Sequence, residues 1–225
     1  MSERVLIVAS HPDDEVLGMA GTIAMHSSQG DTVSILFLGN GVGARGAKAM
    51  SETTQRIAAA NLAAKILGAT IEAVHDFPDN RMDTVPLLDV VKAVEAAKGK
   101  LTPTLVYTHH AGDLNVDHQL CCRAVLTAFR PQPHELCKEI RTFEVNSSTE
   151  WAVPSLSGPF QPNLYVDVSQ YEDLIYQAVS SYVMEMRPEP HARSLEMIIN
   201  GRRMRGGQVG VSLAEAFMSV RRLLV

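Results

Sequence analysis

Val5-Leu6-Ile7-Val8-Ala9-Ser10-His11-Pro12-Asp13-Asp14-Glu15 sets the reading of the whole chain. Five apolar residues in a row read as a buried strand. After Glu15 the period changes: Val16, Ala20, Ile23 and Ala24 share one face of a helix over 15–27. A strand feeding a helix through a short polar turn opens an α/β unit, and open α/β sheets bind ligands at the carboxyl ends of their strands. Within the turn, an imidazole and two carboxylates could supply two metal ligands and a general base. A plainer reading competes with this one. Asp and Glu are favoured in the first turn of a helix, Pro is at home where a helix begins, and His11 is then only a polar turn residue. A distant partner has to decide.

Working outward, 32–38 reads as a second buried strand, 70–75 as a third and 105–108 as a fourth. Helices are expected over 51–67, from Pro86 to 98, and from about 117 to 129. Strand alternating with helix four times implies an α/β fold with a mostly parallel sheet and right-handed crossovers. The last third is less regular. It reads as strands at 141–146 and 164–168 around a Ser- and Pro-rich loop, then helices over 171–184, 193–204 and 212–224. With no internal repeat, 1–225 reads as one domain.

Composition narrows the function. A net charge of −5 argues against a nucleic-acid binder, which should carry a basic face. No apolar run reaches the length of a membrane span. Met1-Ser2-Glu3-Arg4 enters the first strand at once, leaving no room for a signal peptide, so a cytoplasmic protein is expected. Cys121, Cys122 and Cys137 form neither a disulfide framework nor a sulfur-rich metal site, and a buried reduced thiol is expected for at least one of the adjacent Cys121 and Cys122. Gly41, Gly43 and Gly46 fit GxGxxG, but they follow the second strand, no helix plainly starts at Gly46, and the acidic partner is missing. A loop at the rim of a pocket is the better expectation.

His118 is the distant partner. In a parallel sheet it lies with His11 and Asp14 at carboxyl strand ends. Two imidazoles and a carboxylate, with a position left for water, form a catalytic zinc (Zn2+) set rather than a structural one. Asp13 is placed to take the water's proton.

These residues resemble the LmbE/PIG-L deacetylases. The resemblance rests on His11-Pro12-Asp13-Asp14-Glu15 and on Asp113-x-Asn115-x-Asp117-His118, with support from the loop 76–83, the helix from Arg56 to Gly68, and Met186-Arg187-Pro188 with Pro190-His191-x-Arg193-Ser194. It implies a Rossmann-like fold and zinc-dependent removal of an N-acetyl group from an amino sugar or its conjugate. It also implies His11, Asp14 and His118 as ligands, Asp13 as base, and a homo-oligomer. Two positions depart from the family pattern. Asn115 stands where many members carry a His implicated in oxyanion binding or amine protonation, and an amide is no acid near neutral pH. Ala59 stands where a carboxylate is common.

His191, in the Pro-flanked motif, is the candidate proton donor, with oxyanion binding as its other possible task; Asn115 is a candidate hydrogen-bond donor. Arg56, Asp79 and Arg81 are candidates for sugar hydroxyls or a phosphate, and Trp151 for stacking on a sugar face. His109 or His110 is expected to orient a ligand; His26, His75 and His134 read as structural or surface residues. A metal-dependent amidase or esterase on another substrate, and a non-catalytic nucleotide- or sugar-binding protein, are the alternatives.

Overall fold

The computed structural model describes residues 2–43 and 49–224. The first half builds β1 (Arg4–Ala9), α1 (Asp14–Ser28), β2 (Thr32–Phe37), α2 (Ala49–Leu67), β3 (Thr70–Val74) and α3 (Leu87–Leu101). The second half builds β4 (Leu105–His109), α4 (Val116–Ala128), β5 (Glu139–Phe143), β6 (Leu164–Asp167), α5 (Glu172–Ser180), α6 (Leu195–Gly207) and β7 (Ala214–Arg222). The strands join one sheet in the order β3-β2-β1-β4-β5-β7-β6. The first five are parallel, and β7 runs antiparallel to both β5 and β6.

β1 explains why both faces are covered. Its side chains alternate: Val5, Ile7 and Ala9 pack with α1, α2, α5 and α6, whereas Leu6 and Val8 pack with α3 and α4. From β1 the chain winds outward to β2 and β3, then returns to place β4 on β1's other side. The crevice of a doubly wound sheet opens at such a reversal, so His11, after β1, and His118, in α4 after β4, meet there. The three cysteines are free and buried.

The helix expected over 212–224 is instead β7. Ala, Glu, Met and Arg favour a helix locally, but the segment fills the slot between β5 and β6, and residues 214–217 are buried. Tertiary pairing overrides propensity there. The helix expected to reach 184 ends at Ser180, and the chain turns so that Tyr182 Oη donates to Glu15 Oε1 at 2.5 Å.

β7 also closes a break in α1. Met19 has φ −155° and ψ 30°, outside helical geometry. Arg202 Nη2 donates to the carbonyls of Val16 and Leu17 at 2.9 and 3.2 Å, while Glu215 accepts the N–H groups of Gly21 and Thr22 at 3.0 and 2.7 Å. Arg202 and Glu215 bond each other at 2.9 Å, both buried. The break lets α1 pass close to the end of β6, for a Cβ on Gly21 would lie 2.6 Å from Val168 Cβ. Removing one partner of a buried, hydrogen-bonded pair typically costs about 3–5 kcal/mol. Glu215→Ala should therefore lower the unfolding free energy by about that much, read from urea melts; a loss below about 1 kcal/mol, the scale of an ordinary hydrogen bond, would mean that the pair does not hold the break.

Candidate metal centre

His11, Asp14 and His118 are all buried, and one ligand-capable atom of each lies within 4.8 Å of the other two. Each imidazole is fixed from behind by a carboxylate. His11 Nε2 is 2.9 Å from Asp117 Oδ2, and its Nδ1 is 3.7 Å from Asp14. His118 Nδ1 is 3.1 Å from Asp113 Oδ1, and its Nε2 is 3.4 Å from Asp14 Oδ1. Such carboxylate partners set the tautomer and aim of metal-binding histidines. Asp117 is itself held by the backbone N–H groups of Asn80 (2.7 Å) and Met82 (2.9 Å). Asp113 is held by the hydroxyls of Ser148 and Thr149.

The electrostatics suit a cation. Burial alone would disfavour the His118 imidazolium, but Asp14 and Asp113 outweigh it and lift the group to about 10. Burial likewise opposes the Asp113 carboxylate, yet hydrogen bonds from His118, Ser148 and Thr149 bring it down to about 2. In the metal-free protein a proton on His118 thus supplies the positive charge this cluster requires. His109 is second in line: its Nε2 accepts the Ser10 N–H at 2.9 Å and lies 3.4 Å from Asp14. Its ring stacks on His118 at 3.9 Å, and burial with His118's charge pushes it down to about 4. His110 instead bonds Gly158 O at 2.8 Å, tying down the Ser- and Pro-rich loop. His26 lies elsewhere, between Asp31 and Tyr107.

Asp13 does not cap α1 with its side chain, against the plainer reading of the turn. Its φ of 126° is strained for a residue with a Cβ, a feature concentrated at functional sites. Its N–H donates to Glu15 Oε2 at 3.0 Å. Oδ2 accepts from Arg193 Nη1 at 2.9 Å, and Oδ1 pairs with Arg56 Nη2 at 2.8 Å. That Oδ1 is buried and makes no hydrogen bond of good geometry among the described residues. Glu185 shares both arginines, at 3.5 and 3.6 Å. Burial raises the Asp13 carboxyl above its usual range, against the opposing charges of Arg56 and Arg193.

The other sequence-predicted residues divide. Arg56 is buried, and its donors face Pro12 O, Gly41 O and Asp13. Gly41, at φ 68°, makes room for it, since a Cβ would lie 2.5 Å from Arg56 Nη1. The glycine there accommodates an arginine, not a phosphate; Gly46 of that motif lies outside the described residues. Asp79 turns inward to His11 Nε2 at 3.3 Å, and Arg81 is exposed on the rim. Asn115 caps α4, accepting the Asp117 N–H at 2.8 Å, and donates to Asn80 Oδ1 at 3.2 Å. Trp151 and His191 meet edge to face at 5.8 Å, and among the described residues His191 makes no hydrogen bond to His11, Asp14 or His118. It reaches Asp13 only through Arg193, whose N–H it accepts at 3.0 Å. Glu185, Tyr182 and the carboxylate-backing role of Asp113 escape a reading of the sequence; only Asp113 and Arg193 lie in its motifs.

Residues 6–129, more than half of the chain, match the family described as GlcNAc-PI de-N-acetylase (PIG-L). The chain belongs to the PIG-L family. Its structure is similar to that of a conserved protein from Thermus thermophilus, at 26% identity and TM-score 0.74, covering 99% of this chain and 97% of that one. It also resembles the 4-carboxy-2-hydroxymuconate hydratase GalB of Pseudomonas putida (23%, TM-score 0.75, covering 98% and 97%). A third likeness is to N,N'-diacetylchitobiose deacetylase of Pyrococcus horikoshii (20%, TM-score 0.76, covering 96% and 83%). The last two likenesses show a shared fold alone. No described helix of this PIG-L member is long and apolar enough to cross a membrane.

The pH dependence of the chelator-treated protein follows. His118, raised from about 6.5, contributes stability that is complete below that value and lost as pH rises through about 10. Glu15, which burial lifts to about 8, weakens the fold in the same direction, as the unfolded chain ionises first. His109 acts only below about 6.5, where its depressed value lowers stability as pH falls. Below about pH 6.5 the raised Glu15 and the depressed His109 act in opposite directions and offset each other. Above it His118 and Glu15 act together, so the urea midpoint should fall steadily from about pH 6.5, the ordinary imidazole value, towards about pH 10. A midpoint that rises over that range would contradict the assignment of His118.

Proposed function

We propose that this protein is a zinc-dependent N-deacetylase that releases acetate from an acetamido sugar or its conjugate. The observation that carries the reading is the buried pair of imidazoles around Asp14, each with its far nitrogen on a carboxylate. Family membership supports the same chemistry. The donor set fits the ion: His11 Nδ1 and His118 Nε2 both turn towards Asp14, and the cluster offers no sulfur. A zinc ion held by His11, Asp14 and His118 would make water more acidic and polarise the acetamide carbonyl.

The chain's own residues supply the proton chemistry. Asp13, clamped by Arg56 and Arg193, is the carboxylate that accepts a water proton in this reading. Water oxygen adds to the carbonyl carbon, the C–N bond breaks, and Asp13 returns the proton to the departing nitrogen. The products are acetate and the free amine. We assign this return to Asp13 rather than to His191 or Asn115, because Asn115 is no acid and His191 stands behind Arg193. Asp79 and Asn115 then join the loop after β3 to the turn before α4 through Asn80.

Two variants test the division of labour. His118→Ala should lose zinc by elemental analysis while keeping its circular dichroism spectrum; full occupancy would remove it from the ligand set. Asp13→Asn should keep zinc and release acetate from acetamido sugars about 100-fold more slowly or worse, the scale of general-base catalysis. Near-parental turnover in zinc-replete Asp13→Asn would take proton abstraction away from Asp13.

A further inference from the structure

A cavity of about 550 Å3 lies between α6, the start of α1, β7 and the segment after β5. This is within the usual range for small-molecule sites, about 300–1,000 Å3. None of His11, Asp13, Asp14 and His118 lines it. It is close to them nonetheless. Leu17 and Gly18 in its wall stand one helical turn, about 5 Å, past Asp13 and Asp14. Ala192, also in the wall, adjoins Arg193, which rests on Asp13.

Much of the wall is apolar, with Leu17, Met197, Ile198 and Met204 in it, and a few polar groups are set among them. Trp151 is 50% exposed and stands nearly perpendicular to His191, at 79°. His191 Nδ1 accepts the Arg193 N–H, which leaves the ring hydrogen on Nε2. That Nε2 and the Asn146 side-chain amide have no hydrogen-bond partner among the described residues. The charges, by contrast, are spent on one another. Arg205 takes both carboxylate oxygens of Glu144, at 2.8 and 2.7 Å, and Arg202 takes Glu215 at 2.9 Å. Glu150 receives the N–H groups of Ser147 and Ser148. No cation in the described wall is left to meet a phosphate.

We propose that this cavity is a subsite for a second, uncharged sugar ring, so that the acetamido sugar is the end of a neutral glycoside rather than of a nucleotide or phospholipid. The identity of the reacting sugar rests on the deacetylase reading; the class of ligand in the cavity rests on its own wall. An indole face takes the apolar face of a pyranose. The hydroxyls find a donor in His191 Nε2–H and both a donor and an acceptor in the Asn146 amide. A phosphate there would be desolvated against the paired carboxylates without compensation.

Trp151 is the sole tryptophan, so its emission reports the cavity independently of turnover. The experiment titrates the full-length protein with a panel of neutral α- and β-linked disaccharides ending in N-acetylglucosamine, with N-acetylglucosamine alone, and with N-acetylglucosamine 1-phosphate. Acetate release is followed in parallel. At least one disaccharide should change the emission saturably and bind about 10-fold or more tighter than the monosaccharide and the sugar phosphate, the worth of one or two hydrogen bonds. Asn146→Ala should weaken that binding about 10-fold. The subsite falls if no disaccharide changes the emission, or if the sugar phosphate binds as tightly as the best of them. Saturable binding without acetate release would keep the subsite and sink the deacetylase reading; acetate release with silent emission would do the reverse.

Discussion

The structure depends on one electrostatic constraint: Asp14, Asp113, Asp117, His11 and His118, with His109 and Asp79 beside them, share a buried crevice at the switch point, where a charge cannot be left uncompensated. Asp14 faces both histidines, while Asp117 and Asp113 hold them from behind. Those outer carboxylates in turn recruit the surrounding loops. The segment after β3 donates its backbone to Asp117, and the segment after β5 gives Asp113 two hydroxyls. The carboxyl edge of the sheet is therefore stitched to the cluster from both sides. An arrangement this pre-ordered would hold ligands in position before any ion arrived, which favours affinity and a defined geometry.

A second, linked network holds Asp13. Its strained backbone is fixed by Glu15, which Tyr182 steadies, and its carboxylate is shared between Arg56 and Arg193 with Glu185 opposite. These partners come from α2, from the turn after α5 and from the turn before α6. The C-terminal third thus does more than extend the sheet. It presses the arginine clamp against the end of β1, and through Arg202 and Glu215 it seals the break in α1.

Much of this is legible in the sequence, for physical reasons. Alternating buried strands and helices have only one economical arrangement, a parallel sheet, and its reversal brings the turn after β1 to the turn after β4. That topology carries His11, Asp14 and His118 together from distant parts of the chain. What escapes reading depends on tertiary partners. β7 has a helical composition and becomes a strand only because β5 and β6 offer a slot. Arg56 reads as a substrate contact because sequence shows a charge and not its neighbours; the fold turns it inward to Asp13. Asn115 proves to be a cap whose side chain also ties down Asn80. Glu185 and Tyr182 belong to no motif, and their part is visible only in three dimensions.

The central claim is that two imidazoles and one carboxylate form a zinc site on this chain. X-ray absorption at the zinc edge of the purified, zinc-loaded protein tests it most directly. The account predicts one equivalent of zinc in an all-nitrogen and oxygen shell at about 2.0–2.1 Å, with outer-shell scattering from two imidazoles. A sulfur shell near 2.3 Å, scattering from fewer than two imidazoles, or failure to retain stoichiometric zinc would contradict it.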